Sequence, residues 1–311
     1  MARFLRSRTG MRSQPAIATQ DGTLDAGLFQ HLLPADSWSL VPRVLTGVLF
    51  LVLFGQPAIT LARDWWSDSD ANYGLLLFPV AIYLAVRRGW VRESQGQPAL
   101  GLALLAGAVM LRYLSGLAAE LFTMRCSVVL AAAALLVSAR GPRQVLHWWL
   151  PFTLGVLSIP LPAVIVSSLS FPLQLKASQL GAELLRARHV PVLLAGNIIH
   201  LPGRSLFVTE ACSGLRSLTA LSALGVLVGG LWLRGTWARV VLVGTAVPIA
   251  IVLNGVRIFL TGFLVYFVSP GLGEGFLHYT QGWVIFILAF VALSSLAWGL
   301  HRVEQRWQPA A

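Results

Sequence analysis

Residues 240–268 read VVLVGTAVPIAIVLNGVRIFLTGFLVYFV, an apolar run whose single charge is Arg257. About twenty such residues span a bilayer as a helix. A spanning backbone must satisfy its own hydrogen bonds, so the run reads as a membrane helix and not a strand. Working outward, comparable runs occupy 44–62, 73–86, 100–117, 119–139, 145–159 and 215–233 before it, and 283–300 after it. The fold expected is an all-α polytopic membrane protein with about eight transmembrane helices.

Composition agrees. With 56% hydrophobic and 11% charged residues and a mean hydropathy of +0.74, the chain has too few charges to cover a soluble globule. The net charge of +11 would suggest nucleic acid in a soluble domain, but here the arginines punctuate the ends of apolar runs, as cytoplasmic loops require. Placing Arg87, Arg88, Arg92, Arg140, Arg143, Arg234, Arg239, Arg302 and Arg306 inside puts both termini in the cytoplasm. Residues 1–43, polar and arginine-rich with no apolar leader run, read as a disordered cytoplasmic tail, and 301–311 as a second tail. Residues 44–300 form the transmembrane domain. Two cysteines exclude a disulfide scaffold, and the six scattered histidines contain no His-Glu-x-x-His pair, which excludes that class of zinc protease. No cofactor and no metal are expected.

The hydrophobicity is broken between 162 and 209, the largest insertion, which this topology puts on the extracytoplasmic side. Leu173, Leu175, Leu180 and Leu184 recur at helical spacing within 171–185, the pattern of an amphipathic helix on the membrane surface. Residues 190–208 alternate Val/Ile runs with Gly196-Asn197 and Pro202-Gly203, a reading of two or three short strands joined by turns.

Immediately after the insertion stands Thr209-Glu210-Ala211-Cys212-Ser213-Gly214-Leu215-Arg216-Ser217. A free cysteine is commonly a small buried hydrophobe. Cys212, however, has Glu210, Ser213, Gly214 and Arg216 around it and precedes a helix whose N-terminal dipole favours thiolate. Cys126, in an apolar run, reads as packing. Arg257 is costly inside an apolar run unless it faces a wet cavity or snorkels to headgroups. Asn254, one turn earlier, shares its face. His278 is either a loop histidine or a proton carrier. Arg257 lies about 27 Å from the cytoplasmic face, near the outer boundary that Cys212 and His278 also occupy. A nucleophile, a proton carrier and a fixed positive donor are the groups acyl transfer uses. Arg112 and Glu120 read as partners of each other or of headgroups.

The ordered series Pro151-Phe-Thr-Leu, Ile159-Pro-Leu-Pro162, Phe171-Pro-Leu-Gln174, Val190-Pro-Val192, Cys212-Ser-Gly-Leu-Arg-Ser217, Asn254-Gly-Val-Arg257-Ile258 and His278 resembles the exosortase/archaeosortase family. The resemblance runs from about residue 65 and is strongest over 151–282; Asn72-Tyr73-Gly74 departs from a His-Gly often found after the first outer loop. It implies a sortase-like transpeptidase or protease of the bacterial inner membrane, with its active site facing the periplasm. Its substrates would be proteins ending in a short motif, a transmembrane helix and a basic tail. Cys212 would attack the scissile carbonyl, Arg257 would stabilise thiolate or oxyanion, and His278 would protonate the leaving amine, leaving a thioester for an acceptor amine or water. A non-catalytic membrane scaffold and a transporter are the competing classes; nucleic acid is not an expected partner.

Overall fold

The computed structural model describes residues 37–68, 71–92, 94–208, 215–268 and 276–307. Their helices are α1 (Ser37–Ser67), α2 (Gly74–Arg88), α3 (Pro98–Leu117), α4 (Leu121–Arg140), α5 (Pro142–His147), α6 (Trp149–Leu157), α7 (Ala163–Arg186), α8 (Leu215–Trp232), α9 (Thr236–Phe267) and α10 (Phe276–Trp307). Between α7 and α8 stand β1 (Leu193–Ala195), β2 (Ile198–Leu201) and β3 (Arg204–Phe207). The chain forms two compact units, Met1–Leu51 and Val52–Ala311. The first holds, among its described residues, only the N-terminal half of α1.

Among the described residues five helices are long and apolar enough to cross a membrane: α1 from Val44, α3, α4, α9, and α10 from Trp283. Their burial is inverted relative to a soluble bundle. Val52, Leu102, Leu117 and Val240 are 66–86% exposed, whereas Ala108, Ala131, Ala134, Ala238, Ala246 and Ala297 are fully buried. Lipid tails are as apolar as leucine, so helices gain little by hiding large side chains from them and associate instead through small residues that let backbones approach. The chain is a multi-pass membrane protein.

Three of the eight apolar runs form shorter helices. Run 73–86 is α2, of 15 residues, and run 215–233 is α8, of 18. Run 145–159 is not one helix but α5 and α6, broken at Trp148. There the backbone leaves helical geometry (φ −93°, ψ 23°) while the indole Nε1 donates to Gly89 O at 3.0 Å and the ring stacks on Trp90 at 4.8 Å. A contact nearly sixty residues away in sequence therefore sets the kink.

Of the two readings of Arg112 and Glu120, pairing with each other is not what forms. Glu120 caps α4, accepting from Phe122 N (3.0 Å) and Thr123 N (2.7 Å), because two unsatisfied amides of the helix start are nearer than any cation. Arg112 reaches α1 instead, donating to Leu53 O (3.3 Å) and Gln56 Oε1 (2.7 Å).

The insertion also differs from its sequence reading in one respect. Its helix starts at Ala163, eight residues before the expected 171, and the stripe of Leu173, Leu175, Leu180 and Leu184 is only half-buried. The buried face is Ser170, Gln174, Ala177, Ser178, Gly181, Ala182 and Leu185. That face lies along α9. A Cβ at Gly181 would stand 2.6 Å from Ile258, and one at Gly255 would stand 2.5 Å from Leu180, so the two glycines set the approach of α7 to α9.

Residues 190–208 form the expected strands as an antiparallel meander, β1-β2-β3, paired from Leu193↔His200 to Leu201↔Arg204. Gly196-Asn197 and Pro202-Gly203 are the two turns. Gly203 has φ 75°, the left-handed conformation that follows proline in a type II turn. The sheet is docked on α7 and α9 by Val190, Ile199, Leu201 and Val208 packing against Leu185, Ile258 and Val265.

An ion pair that the sequence reading did not anticipate ties α1 to α4. Arg125 Nη2 meets Asp64 Oδ2 at 2.6 Å, with the arginine side chain 4% and the aspartate 38% exposed. Breaking a buried pair strands the buried charge, at a cost of about 3–5 kcal/mol, and the exposure of Asp64 moves the expectation to the low end. Asp64→Leu should therefore lower stability in detergent by about 3 kcal/mol, more than Arg125→Met does. The double variant should recover most of the loss. Additive losses in chemical unfolding would show that the pair does not couple the helices.

Candidate functional site

α8, α9 and α10 pack on one another around Leu221, Leu242, Ala246, Ala289, Leu293 and Ala297. α9 runs against the other two: Gly225 lies on Val243 and Gly229 on Arg239, while Glu304, near the end of α10, meets Gly235 at the start of α9. The α8–α9 turn is pinned. Arg239 donates to Leu233 O through Nη2 (2.7 Å) and Nε (3.0 Å), and Glu304 accepts from Arg234 N (3.0 Å) and Gly235 N (2.7 Å). The opposite end of this trio is where α8 and α10 begin and where the last turns of α9 arrive.

Helical periodicity gives α9 two working faces at this end. Gly255, Ile258 and Gly262 meet α7, at Leu180, Gly181 and Leu185. Asn254 and Arg257 turn the other way and line a small pocket with Leu221 of α8 and Ile285, Phe286 and Ala289 of α10. Its volume, about 10 Å³, is room for about one water molecule. Asn254 is 4% exposed and Arg257 half-buried. Thr261 Oγ1, one turn on, donates to Arg257 O at 3.0 Å. Leu221 is six residues beyond the start of α8 and Ile285 seven beyond His278, so the pocket lies about 9–10.5 Å inward of the start of α8 and of His278.

Cys212, with Glu210, Ser213 and Gly214, lies outside the described residues. Arg216 falls on the first turn of α8 and His278 on the first turn of α10. The chain entering the Cys212 segment is anchored by Asn197, which sequence reading treated only as a turn residue. Its carbonyl accepts from Val208 N (3.0 Å), and its Nδ2 donates to Val208 O (3.1 Å) and Gln174 Oε1 (3.4 Å). Val208, four residues before Cys212, is thereby tied to the β1–β2 turn and, through Gln174, to α7. Beside it, Leu201, Pro202, Gly203 and Arg204 of the β2–β3 hairpin face Val265, Tyr266 and Val268 across an open cleft of about 450 Å³.

Cys126 is a free thiol, half-buried in α4, and packs with Phe122 and Val129 against Leu61, Trp65, Ala71 and Ile159. Arg125 beside it is a residue the sequence could have flagged. It is a lone cation within an apolar run, the same signal that singled out Arg257. Among the described residues no three His, Cys, Asp or Glu side chains gather to hold a metal ion.

Searches of curated proteins and of solved structures find no significant match. A family model described as "Transmembrane exosortase (Exosortase_EpsH)" matches residues 65–295, from the end of α1 to within α10. That span takes in Trp65, the insertion, the Cys212 segment, Arg257 and His278. Membership implies a sortase-like protein-sorting function and substrates that carry a sorting signal. This chain belongs to the exosortase EpsH family of transmembrane exosortases.

Proposed function

We propose that the chain is a cysteine-dependent transpeptidase or endopeptidase that removes a C-terminal sorting signal at the outer face of the inner membrane. The observation that carries this reading is the packing of α8, α9 and α10 on one another, with Asn254 and Arg257 facing the space between them. α8 starts three residues after Cys212, and His278 is the third residue of α10. The starts of α8 and α10 and the Arg257 pocket thus belong to the same half of one helix trio, which supports the reading.

The steps follow from the groups. The Cys212 thiolate attacks the scissile carbonyl carbon, and the oxygen takes the electron pair as an oxyanion. Arg257, approaching from the bundle side of the pocket, holds that charge, or the thiolate before it, with a guanidinium fork that Asn254 orients. Collapse expels the amine, which takes a proton from His278, and the new C-terminus remains on Cys212 as a thioester. An acceptor amine or water, losing its proton to His278, then attacks the thioester and restores the thiolate. Glu210, Ser213, Gly214 and Arg216 shape the thiolate's surroundings.

In this reading the chain crosses the membrane eight times, the five long helices being joined by α2, the α5–α6 pair and α8. Residues 1–43 and 301–311 are cytoplasmic, 44–300 form the exosortase-like domain, and 162–209 stand outside. Supporting the orientation, the guanidiniums of Arg87, Arg88, Arg140, Arg239 and Arg302 each lie 4.6–5.8 Å from an aromatic ring centroid, the interfacial pattern expected at the basic, cytoplasmic ends.

A tagged substrate co-expressed with the enzyme tests the chemistry. Rapid denaturation should trap an enzyme–substrate adduct that neutral hydroxylamine releases and that maps to Cys212. An adduct mapping to Cys126, or one that persists in Cys212→Ala, rejects the assignment.

A further inference from the structure

At the end of the bundle away from the proposed catalytic groups, two arginines converge on one tryptophan. Arg88, the last residue of α2, places its Cζ 5.7 Å from the Trp149 ring centroid. Arg239, in the first turn of α9, places its Cζ 4.9 Å from the same centroid. The two cations therefore lie within about 11 Å of each other, inside the range where each ring contact is favourable. Their like charges repel, and Arg239 acts on Arg88.

Among the described residues no carboxylate pairs directly with either guanidinium. Arg88 Nη1 donates to His147 O (2.9 Å) and Arg239 donates to the carbonyls of Gly229 and Leu233, all neutral acceptors. Glu304, the acid at this end, is engaged by Arg234 N and Gly235 N. The Asp64–Arg125 ion pair belongs to a different part of the bundle. Two half-buried guanidiniums, positioned by backbone carbonyls and an indole, thus share a double positive charge with no carboxylate in direct contact with either. The other aromatic-bound arginines differ: Arg302 has Trp298 to itself, and so does Arg140 with Trp90.

Close to the pair in sequence, Val86, Leu146, Leu231 and Val240 are 53–73% exposed, apolar side chains fit for acyl chains and useless to a free ion. We propose that Arg88 and Arg239, on either flank of Trp149, bind the phosphate of an anionic phospholipid headgroup, whose acyl chains lie on this apolar surface. Basic pockets between transmembrane helices are suited to such headgroups. The bound lipid would join α2, α6 and α9 by neutralising the repulsion between their ends. The site does not depend on the catalytic reading.

The test uses the full chain in neutral detergent, with native mass spectrometry counting retained lipid and thermal unfolding reporting stabilisation. Phosphatidylglycerol, phosphatidylcholine and inorganic phosphate are the probes. Phosphatidylglycerol should be retained over phosphatidylcholine and should raise the unfolding midpoint; phosphate alone should do neither. Loss of one arginine should weaken phosphatidylglycerol retention about fivefold, in Arg88→Gln and Arg239→Gln alike, while Arg302→Gln retains wild-type binding. Equal retention of the two lipids by the wild-type chain overturns the proposal without need of any variant. Equal loss in Arg302→Gln would mean a general basic belt and no site. Equal stabilisation by inorganic phosphate would overturn the lipid as occupant.

Discussion

Cys212→Ala stops removal of the sorting signal from a co-expressed substrate, whereas Cys126→Ala leaves it near the wild-type level. The first loss should be on the order of 10⁴-fold or more, because the covalent route vanishes with the nucleophile. Alanine at 126 removes one sulfur from an apolar contact with Phe122 and Val129, which touches packing and not chemistry. The readout is the fraction of substrate processed at matched enzyme level in the membrane. A scaffold would be indifferent to both substitutions. Processing retained by Cys212→Ala removes the enzyme reading altogether, and loss in Cys126→Ala at normal enzyme level would move the nucleophile to α4.

Arg257→Lys should lower processing by about a hundredfold or more, equivalent to about 2.7 kcal/mol of transition-state stabilisation, and Arg257→Ala by as much or more. The argument is geometric. Arg257 shares with Asn254 a pocket with room for about one water molecule, walled by Leu221, Ile285, Phe286 and Ala289. A planar fork with several donors is oriented by such a slot; a lysine ammonium there is a mobile point charge that an apolar environment can neutralise. If Arg257 only snorkels to headgroups, lysine serves equally well. Near-normal processing by the lysine variant at matched membrane level returns Arg257 to a structural role and leaves Cys212 and His278 without an oxyanion donor.

The half of the candidate site on α9 was legible because its signals are local. An arginine inside an apolar run is anomalous wherever the run folds, and Asn254 precedes it by less than one turn. Arg125 carried the same signal and went unread, since the surrounding motif drew attention to Arg257. Asn197 had no such signal: asparagine after glycine is ordinary turn composition, and its hold on Val208 and Gln174 exists only once the meander sits on α7. Glu304 likewise reads as a tail residue, yet it closes the α8–α9 turn from 69 and 70 residues away.

What the sequence by itself determined is the solvent, the helices and the turns. Apolar length decides whether a segment enters a bilayer, and the unsatisfied backbone then dictates helix; Gly196-Asn197 and Pro202-Gly203 dictate turns through their own torsion preferences. These are properties of a few neighbouring residues. Only the tertiary structure decided which face each helix turns inward. The leucine stripe of α7 would by itself have predicted its buried side, yet in the fold that stripe stays half-exposed. The face taken by α9 is the small one, Ala177, Gly181 and Ala182, because association there depends on how closely two backbones approach. The partners of Asp64, Trp148 and Arg239 were settled the same way: each lies on another element, and composition near a residue holds no record of what a distant helix will bring to it.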